Sequence, residues 1–199
     1  MTVTTRRSLT SRPLDLLYFV FFIFHIPNTI LVDVQAIYPK EFVPSVLAQL
    51  PKLYVELSGD PLIGGANGFF GNAVEDSYIW FKSFLLLEIF FQLPVFILGI
   101  RGLWRDTRSP TLYLLLLAYG ASTSTTLLPC LSIFFSTPTT TAETLKQGVI
   151  AITSFQRMLL FASYVPFLLV PLGMTIDMAL RLEKLARKGK EIEEKMKSE

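Results

Sequence analysis

The chain has 199 residues, of which 51% are hydrophobic and 17 are Phe, and its net charge is +2. One domain fits this length, but a water-soluble domain does not gather its apolar residues into long runs. The small net charge, with no Lys/Arg cluster interleaved with exposed aromatics, gives no place for nucleic acid. The single Cys130 excludes an internal disulfide and a four-cysteine zinc site.

Residues 1–12 carry Arg6, Arg7 and Arg12 and no acid, and they precede a first apolar run from Leu14 to Ile37. That run is too long for the apolar part of a signal peptide. It contains His25, Asn28 and Asp33 and ends in no small-x-small cleavage site, so it reads as a retained span. A long connection, Tyr38 to Tyr78, follows. Glu41 to Leu57 predicts a helix interrupted by Pro44 and Pro51. Asp60-Pro61 predicts a helix N-cap with Pro at the first helical position. Gly64-Gly65-Ala66-Asn67-Gly68 and Gly71-Asn72 predict a permissive, mobile stretch. Three further apolar runs come next: Ile79 to Ile100, Leu112 to Phe135 and Met158 to Leu180.

Each run is near the ~20 residues that cross the hydrocarbon as a helix. The runs are continuous and lack alternation, which argues against strands, and in lipid a single segment satisfies its own backbone only as a helix. The expected fold is an all-α membrane protein, a four-transmembrane-helix bundle over residues 13–180. Pro27, Pro94, Pro129, Pro166 and Pro171 lie inside the runs, so proline-kinked helices that splay around a cavity are expected. The tail, 181–199, reads as the fourth helix running on with a solvated, mixed-charge face. Basic residues gather in the N-terminal segment, between runs two and three (Arg101, Arg105, Arg108) and in the tail. By the positive-inside rule both termini face the cytosol.

Polar residues inside the runs carry the functional signal. His25, Thr29 and Asp33 are spaced by four and share a helix face, and Glu88 and Gln92 do the same in the second run. An acid at a helix centre in the membrane costs ~2.5 kcal/mol or more, so such groups turn into the bundle and find partners. Asp33 and Glu88 together suggest a pair sharing one proton, because two carboxylates in a dry site do not both ionise cheaply. That leaves one net negative charge, suited to a ligand amine or a sterol hydroxyl. Tyr113, Tyr119, Tyr164 and Phe167 are candidate walls that add cation–π attraction, and Thr126 is a candidate for the cavity lining. His25 has no Cys or second His with which to share a metal, and it reads as a supporting polar residue. No metal or other cofactor is expected.

The stretch His25-Ile26-Pro27 through Asp33-Val34-Gln35-Ala36-Ile37-Tyr38-Pro39 resembles the first span of the sigma-2 receptor family. The resemblance continues in Asp60-Pro61-Leu62, Trp80-Phe81-Lys82-Ser83-Phe84, Glu88-Ile89-Phe90-Phe91-Gln92-Leu93-Pro94, Thr125-Thr126-Leu127-Leu128-Pro129 and Tyr164-Val165-Pro166-Phe167. That family carries the EXPERA domain, a four-helix membrane fold shared with emopamil-binding protein, the sterol isomerase. The resemblance implies an endoplasmic reticulum membrane protein, in contact with membrane lipids, that binds sterols and lipophilic amines and serves sterol homeostasis or trafficking; it also implies a homodimer. By motif position it implies Asp33 as the ligand-pairing carboxylate, Glu88 as its neighbour, and Gln92, Thr126, Tyr164 and Phe167 as pocket residues. Phe167 stands where the family has a tyrosine. Asp60 matches a second aspartate that supports the fold.

Two rival functions are weighed. A sterol double-bond isomerase needs an acid to protonate one alkene carbon and a base to deprotonate another. The isomerase relatives place a His four residues before the Glu of span two, and here that residue is Phe84, so a non-enzymatic receptor is favoured. A channel would need a continuous polar path, which runs crowded with Phe and Leu do not offer. Lys195 and Lys197 have the spacing of a dilysine retrieval signal, read by cytosolic coat proteins.

Overall fold

The computed structural model describes residues 6–198. Four of its helices are long and apolar enough to cross a membrane: Pro13–Ala36, Ile79–Trp104, Pro110–Ser136 and Ser154–Ser198. Among the described residues the only β pairing is an isolated bridge between Thr139 and Ile152.

The first span begins with α1 (Pro13–Leu31), which Pro13 opens at a position where its missing N–H costs nothing. The helix closes at Val32, and Asp33–Ala36 form a tighter 3-10 turn. The Gln35 amide donates to the Leu31 carbonyl, and at 2.9 Å to the Leu47 carbonyl. It therefore satisfies one acceptor that the end of α1 leaves open and one in α2 that Pro51, four residues on and without an N–H, does not reach. The consequence for the expected common face is specific. His25 and Thr29 stay on the buried side of α1, while Asp33 starts the 3-10 turn instead of continuing the α-helical register.

The long connection is more ordered than its glycines suggest. It folds into α2 (Ser45–Ser58), α3 (Pro61–Ala66) and α4 (Asn72–Ser77). All six residues of α3 are buried, which overturns the expectation of a mobile stretch there. The physical reason is close packing. A Cβ on Gly64 would sit 2.5 Å from the Phe70 ring, and one on Gly65 would sit 2.4 Å from the Tyr78 ring. These two glycines make room for aromatic neighbours and do not supply flexibility.

Span two is composite: α5 (Ile79–Leu87), a π-helical turn over Glu88–Gln92, and α6 (Leu93–Trp104). The Leu93 N–H reaches back five residues to the Glu88 carbonyl. Pro94 follows at once; it has no N–H to give, and its ring crowds the carbonyl four residues back, so the widened turn falls where a regular helix would be strained. The other four intramembrane prolines sit within helices that continue on both sides.

Span three is α7 (Pro110–Ser136), capped by the Ser109 hydroxyl, which accepts from the Leu112 N–H at 3.2 Å. A short α8 (Ala142–Gln147) leads to span four, α9 (Ser154–Ser198), which runs unbroken into the charged tail. The α7 and α9 backbones touch at Gly120, where a Cβ would meet the Pro171 carbonyl and the Thr175 hydroxyl, each at 2.5 Å. Small residues allow this approach between membrane helices. Arg157 closes the far end of α7 by donating to the carbonyls of Phe134 at 2.6 Å and Thr137 at 2.7 Å.

The segment before α1 and the stretch of α9 around Arg181 lie at one end of the bundle, which ion pairs draw together. Arg12 meets Asp15 at 2.5 Å and donates to the Leu103 carbonyl at 2.8 Å. Arg181 of α9 meets Asp15 and Asp177, each at 2.7 Å. Asp106, between α6 and α7, holds Arg108 at 2.8 Å, Arg7 at 3.1 Å and Arg12 at 3.5 Å. Above this terminal end lies a core of Tyr18, Phe22, Phe96, Leu116, Tyr119 and Met174. A second core of Val34, Leu62, Ile63, Leu85, Phe134 and Leu160 lies under the long connection.

Candidate functional site

A cavity of about 320 Å³ opens between the helices. The 3-10 turn after α1 presents Asp33, the π turn presents Glu88 and Gln92, α7 presents Thr126 and Cys130, and α9 presents Tyr164 and Phe167. His25 and Asn28 of α1 and Tyr54 of α2 join them. All six residues expected to touch a ligand therefore border one space. Pro27 is exposed on α1 and does not line it.

Each side chain is held by identifiable contacts. Glu88 is 8% exposed, and its Oε1 accepts from the Thr29 hydroxyl at 2.5 Å and lies 3.6 Å from His25 Nε2. Among the described residues no donor reaches the Asp33 carboxylate, which is only partly covered. His25 is stacked on Phe96 and meets the edge of Phe167, each at 4.6 Å between ring centroids, and its Nδ1 is buried without a partner. The Thr126 hydroxyl donates within its own helix, to Ser122 at 3.1 Å or Thr123 at 3.2 Å, so toward the cavity it offers lone pairs. The Cys130 thiol donates to the Thr126 carbonyl at 3.4 Å.

Asp60 stands behind the cavity wall and is fully buried. Its Oδ1 caps α3 by accepting from the Leu62 and Ile63 N–H groups at 2.8 and 3.1 Å, the geometry that Asp60-Pro61 predicts. Its Oδ2 accepts from the hydroxyls of Tyr164 at 2.7 Å and Tyr54 at 3.0 Å. Burial pushes this carboxyl above its ordinary range, and the four hydrogen bonds, that of Tyr164 foremost, oppose the rise. Asp60 thus fixes two rings that line the cavity without lining it itself.

Sequence reasoning missed the Thr29 contact to Glu88, although the spacing of Thr29 from His25 pointed to the same face. Tyr54 was also missed; its only signal is position, six residues before Asp60 in a helix that folds back. Two expected walls are corrected. Tyr119 packs against Phe22 and Phe96, each at 5.3 Å, and Tyr113 lies under the Arg181 guanidinium at 5.6 Å. Both belong to the core at the terminal end, because their positions on α7 lie a turn or more closer to Pro110 than the cavity does.

Among the described residues no Lys or Arg borders the cavity, and His25 is the basic ring facing its two carboxyls. The volume falls at the low end of the ~300–1,000 Å³ typical of small-molecule sites. The complement of such a space is an apolar body bearing one cation or one hydroxyl. Fold and site together define a multi-pass helical membrane protein with an internal, acidic, ligand-sized cavity.

The EXPERA (EXPanded EBP superfamily) profile matches residues 46–178. The chain is 33% identical over 173 residues to Sigma intracellular receptor 2 of Macaca fascicularis and to that of Homo sapiens, covering 85% of this chain and 89% of each relative. It is 27% identical over 177 residues to Efficient mitochondria targeting-associated protein 19 of Schizosaccharomyces pombe, covering 89% of this chain and 81% of that relative. The chain belongs to the EXPERA family.

Proposed function

We propose that this protein is a non-enzymatic membrane receptor that binds lipophilic amines and sterols in the bundle cavity and acts in sterol homeostasis or trafficking. The observation that carries the proposal is the pair Asp33 and Glu88 in one cavity that, among the described residues, no Lys or Arg borders. In a low-dielectric space such a pair holds one proton and one negative charge. A ligand ammonium supplies the missing cation, and the surrounding rings of Phe84, Tyr164 and Phe167 receive its apolar body. A sterol hydroxyl answers the same carboxylate as a donor. The similarity to receptors named for sigma ligands agrees with this chemistry.

The test is amine radioligand binding to two purified variants. Asp33→Asn removes the charge and keeps the shape. A charge-assisted bond is worth ~1.5–3 kcal/mol, so affinity falls about tenfold to a hundredfold. Glu88→Gln imitates a protonated carboxyl and has the milder effect. The reverse order would reassign the charge to Glu88, and unchanged binding in both variants would remove the pair from the mechanism.

One observation favours a second reading, a sterol double-bond isomerase. Span two has no histidine, yet His25 of span one comes within 3.6 Å of Glu88 and supplies an imidazole beside a carboxyl. The receptor reading is preferred because His25 is enclosed by Phe21, Phe96 and Phe167 rings. Double-bond migration in a sterol incubated with the protein, lost in His25→Ala, would reverse that preference.

We place the protein in the endoplasmic reticulum with both termini in the cytosol. Lys195 and Lys197 lie in the exposed tail, where coat proteins would read them. Changing both to Ser moves the protein onward in the secretory route if they are the retrieval signal; unchanged location argues for another one. A homodimer is proposed from the family alone.

A further inference from the structure

A second pocket, of about 510 Å³, lies at the terminal end of the bundle, outside the ligand cavity. Its rim carries Arg6, Arg7 and Thr10, and its floor is Leu16, Phe19 and Trp104. Trp104 ends α6 and is stacked on Phe19 with ring centroids 5.6 Å apart. A tryptophan at a span end marks the level of lipid headgroups. The Arg6 guanidinium lies 4.8 Å above the Trp104 ring, which holds it over the pocket by cation–π attraction.

The charges here do not balance. Asp106 is shared by Arg7, Arg108 and Arg12, and Arg12 also meets Asp15, which with Asp177 is answered by Arg181. Among the described residues no carboxylate pairs with Arg6, and it is not among those with unstated partners. A cation without a partner at headgroup depth, above an apolar floor, describes half of an amphipathic site.

We propose that this pocket seats the phosphate of an anionic phospholipid from the adjacent leaflet, on Arg6, with an acyl chain lying over Leu16 and Phe19. The apolar floor requires a tail, which a free phosphate lacks. The cationic surplus favours a lipid with net negative charge over a zwitterionic one.

Native mass spectrometry from nanodiscs of phosphatidylcholine mixed with phosphatidylglycerol tests this. The wild-type chain is expected to carry one tightly held phosphatidylglycerol. Arg6→Gln lowers that preference about fivefold, and Trp104→Leu lowers it as well. Lys190→Gln, which removes a charge from the exposed tail, leaves it unchanged. Arg6 is exposed and makes no ion pair, so Arg6→Gln keeps the melting temperature and the amine binding of the bundle cavity. Equal effects of Arg6→Gln and Lys190→Gln would reduce the site to general attraction of basic residues to an anionic surface and overturn the proposal. So would an unchanged preference in Arg6→Gln, or full displacement by soluble glycerol phosphate.

Discussion

Two regions of the bundle hold carboxylates among their helices and treat them in opposite ways. At the terminal end Asp15, Asp106 and Asp177 each face at least one guanidinium within 2.8 Å. In the cavity, among the described residues, Asp33 has no donor and Glu88 has a threonine hydroxyl and a more distant imidazole. The first region uses its acids to tie α1, α6, α7 and α9 together. The second leaves its acids incompletely answered. Among the described residues the bundle places arginines beside the aspartates at one end and none beside the pair in the cavity, and the proposed ligand site rests on that contrast.

The comparison is broken most severely at the closed end. Arg12→Met leaves the buried Asp15 to Arg181 alone and the Leu103 carbonyl without its donor. Because Arg181 still answers Asp15, the cost stays at about 3 kcal/mol, the low end for breaking a buried pair, and the detergent-solubilised variant is expected to melt well below wild type. Arg12→Met with Asp15→Leu should recover most of the loss; no recovery would mean that Arg12 acts through its bond to the Leu103 carbonyl.

Supplying a cation to the open region sharpens the contrast. A lipophilic amine at a hundredfold excess over its Kd stabilises the bundle by about 2.7 kcal/mol. The gain in melting temperature should vanish in Asp33→Asn and persist in Asp106→Asn. A gain retained in Asp33→Asn would place the amine elsewhere.

The smallest effect concerns Asp106 and pH. Hydrogen bonds from Arg108 and then Arg7 hold its carboxyl below the ordinary range. A depressed folded-state value means that the contribution is present above the ordinary carboxylate range and lost as pH falls through the folded value. Arg7 and Arg108 are half exposed, so solvent screening limits the contribution to about 1 kcal/mol. Asp106→Asn should melt slightly below wild type at neutral pH, and the two curves should converge in acid. A constant gap would show that the charge of Asp106 is not what matters.

Much of this arrangement was legible in the residues. Apolar runs of span length forced four helices, and the basic segments put both termini on one side, where Arg12, Asp15 and Arg181 now meet. Asp33 and Glu88 stood out because acids are costly in apolar runs. What stayed hidden depended on who packs against whom. Gly64 and Gly65 look permissive until the Phe70 and Tyr78 rings are placed over them. Tyr119 looks like a cavity wall until the register of α7 turns it toward Phe22 and Phe96. The break at Val32 and the π turn at Glu88 leave no composition signal beyond a proline two residues past the turn, and four other prolines produce no such change.

The π turn carries a consequence for how this chain tolerates lengthening and shortening. Span two holds one residue more than a uniform helix would need to cover the same path. Deleting a single residue between Glu88 and Leu93 would let the hydrogen bonds relax to the ordinary pattern, so the span would survive. Because the wide turn absorbs the extra residue, both halves would keep their phase, with Glu88 still at the cavity and Val95, Phe96 and Gly99 still in the core they share with Phe22 and Leu116. The same deletion inside α5 or α6, where the pattern is already ordinary, would swing one half by about 100° against the other. The turn beside the polar site is therefore the place where span two tolerates losing a residue, and the packed seam of α6 is not.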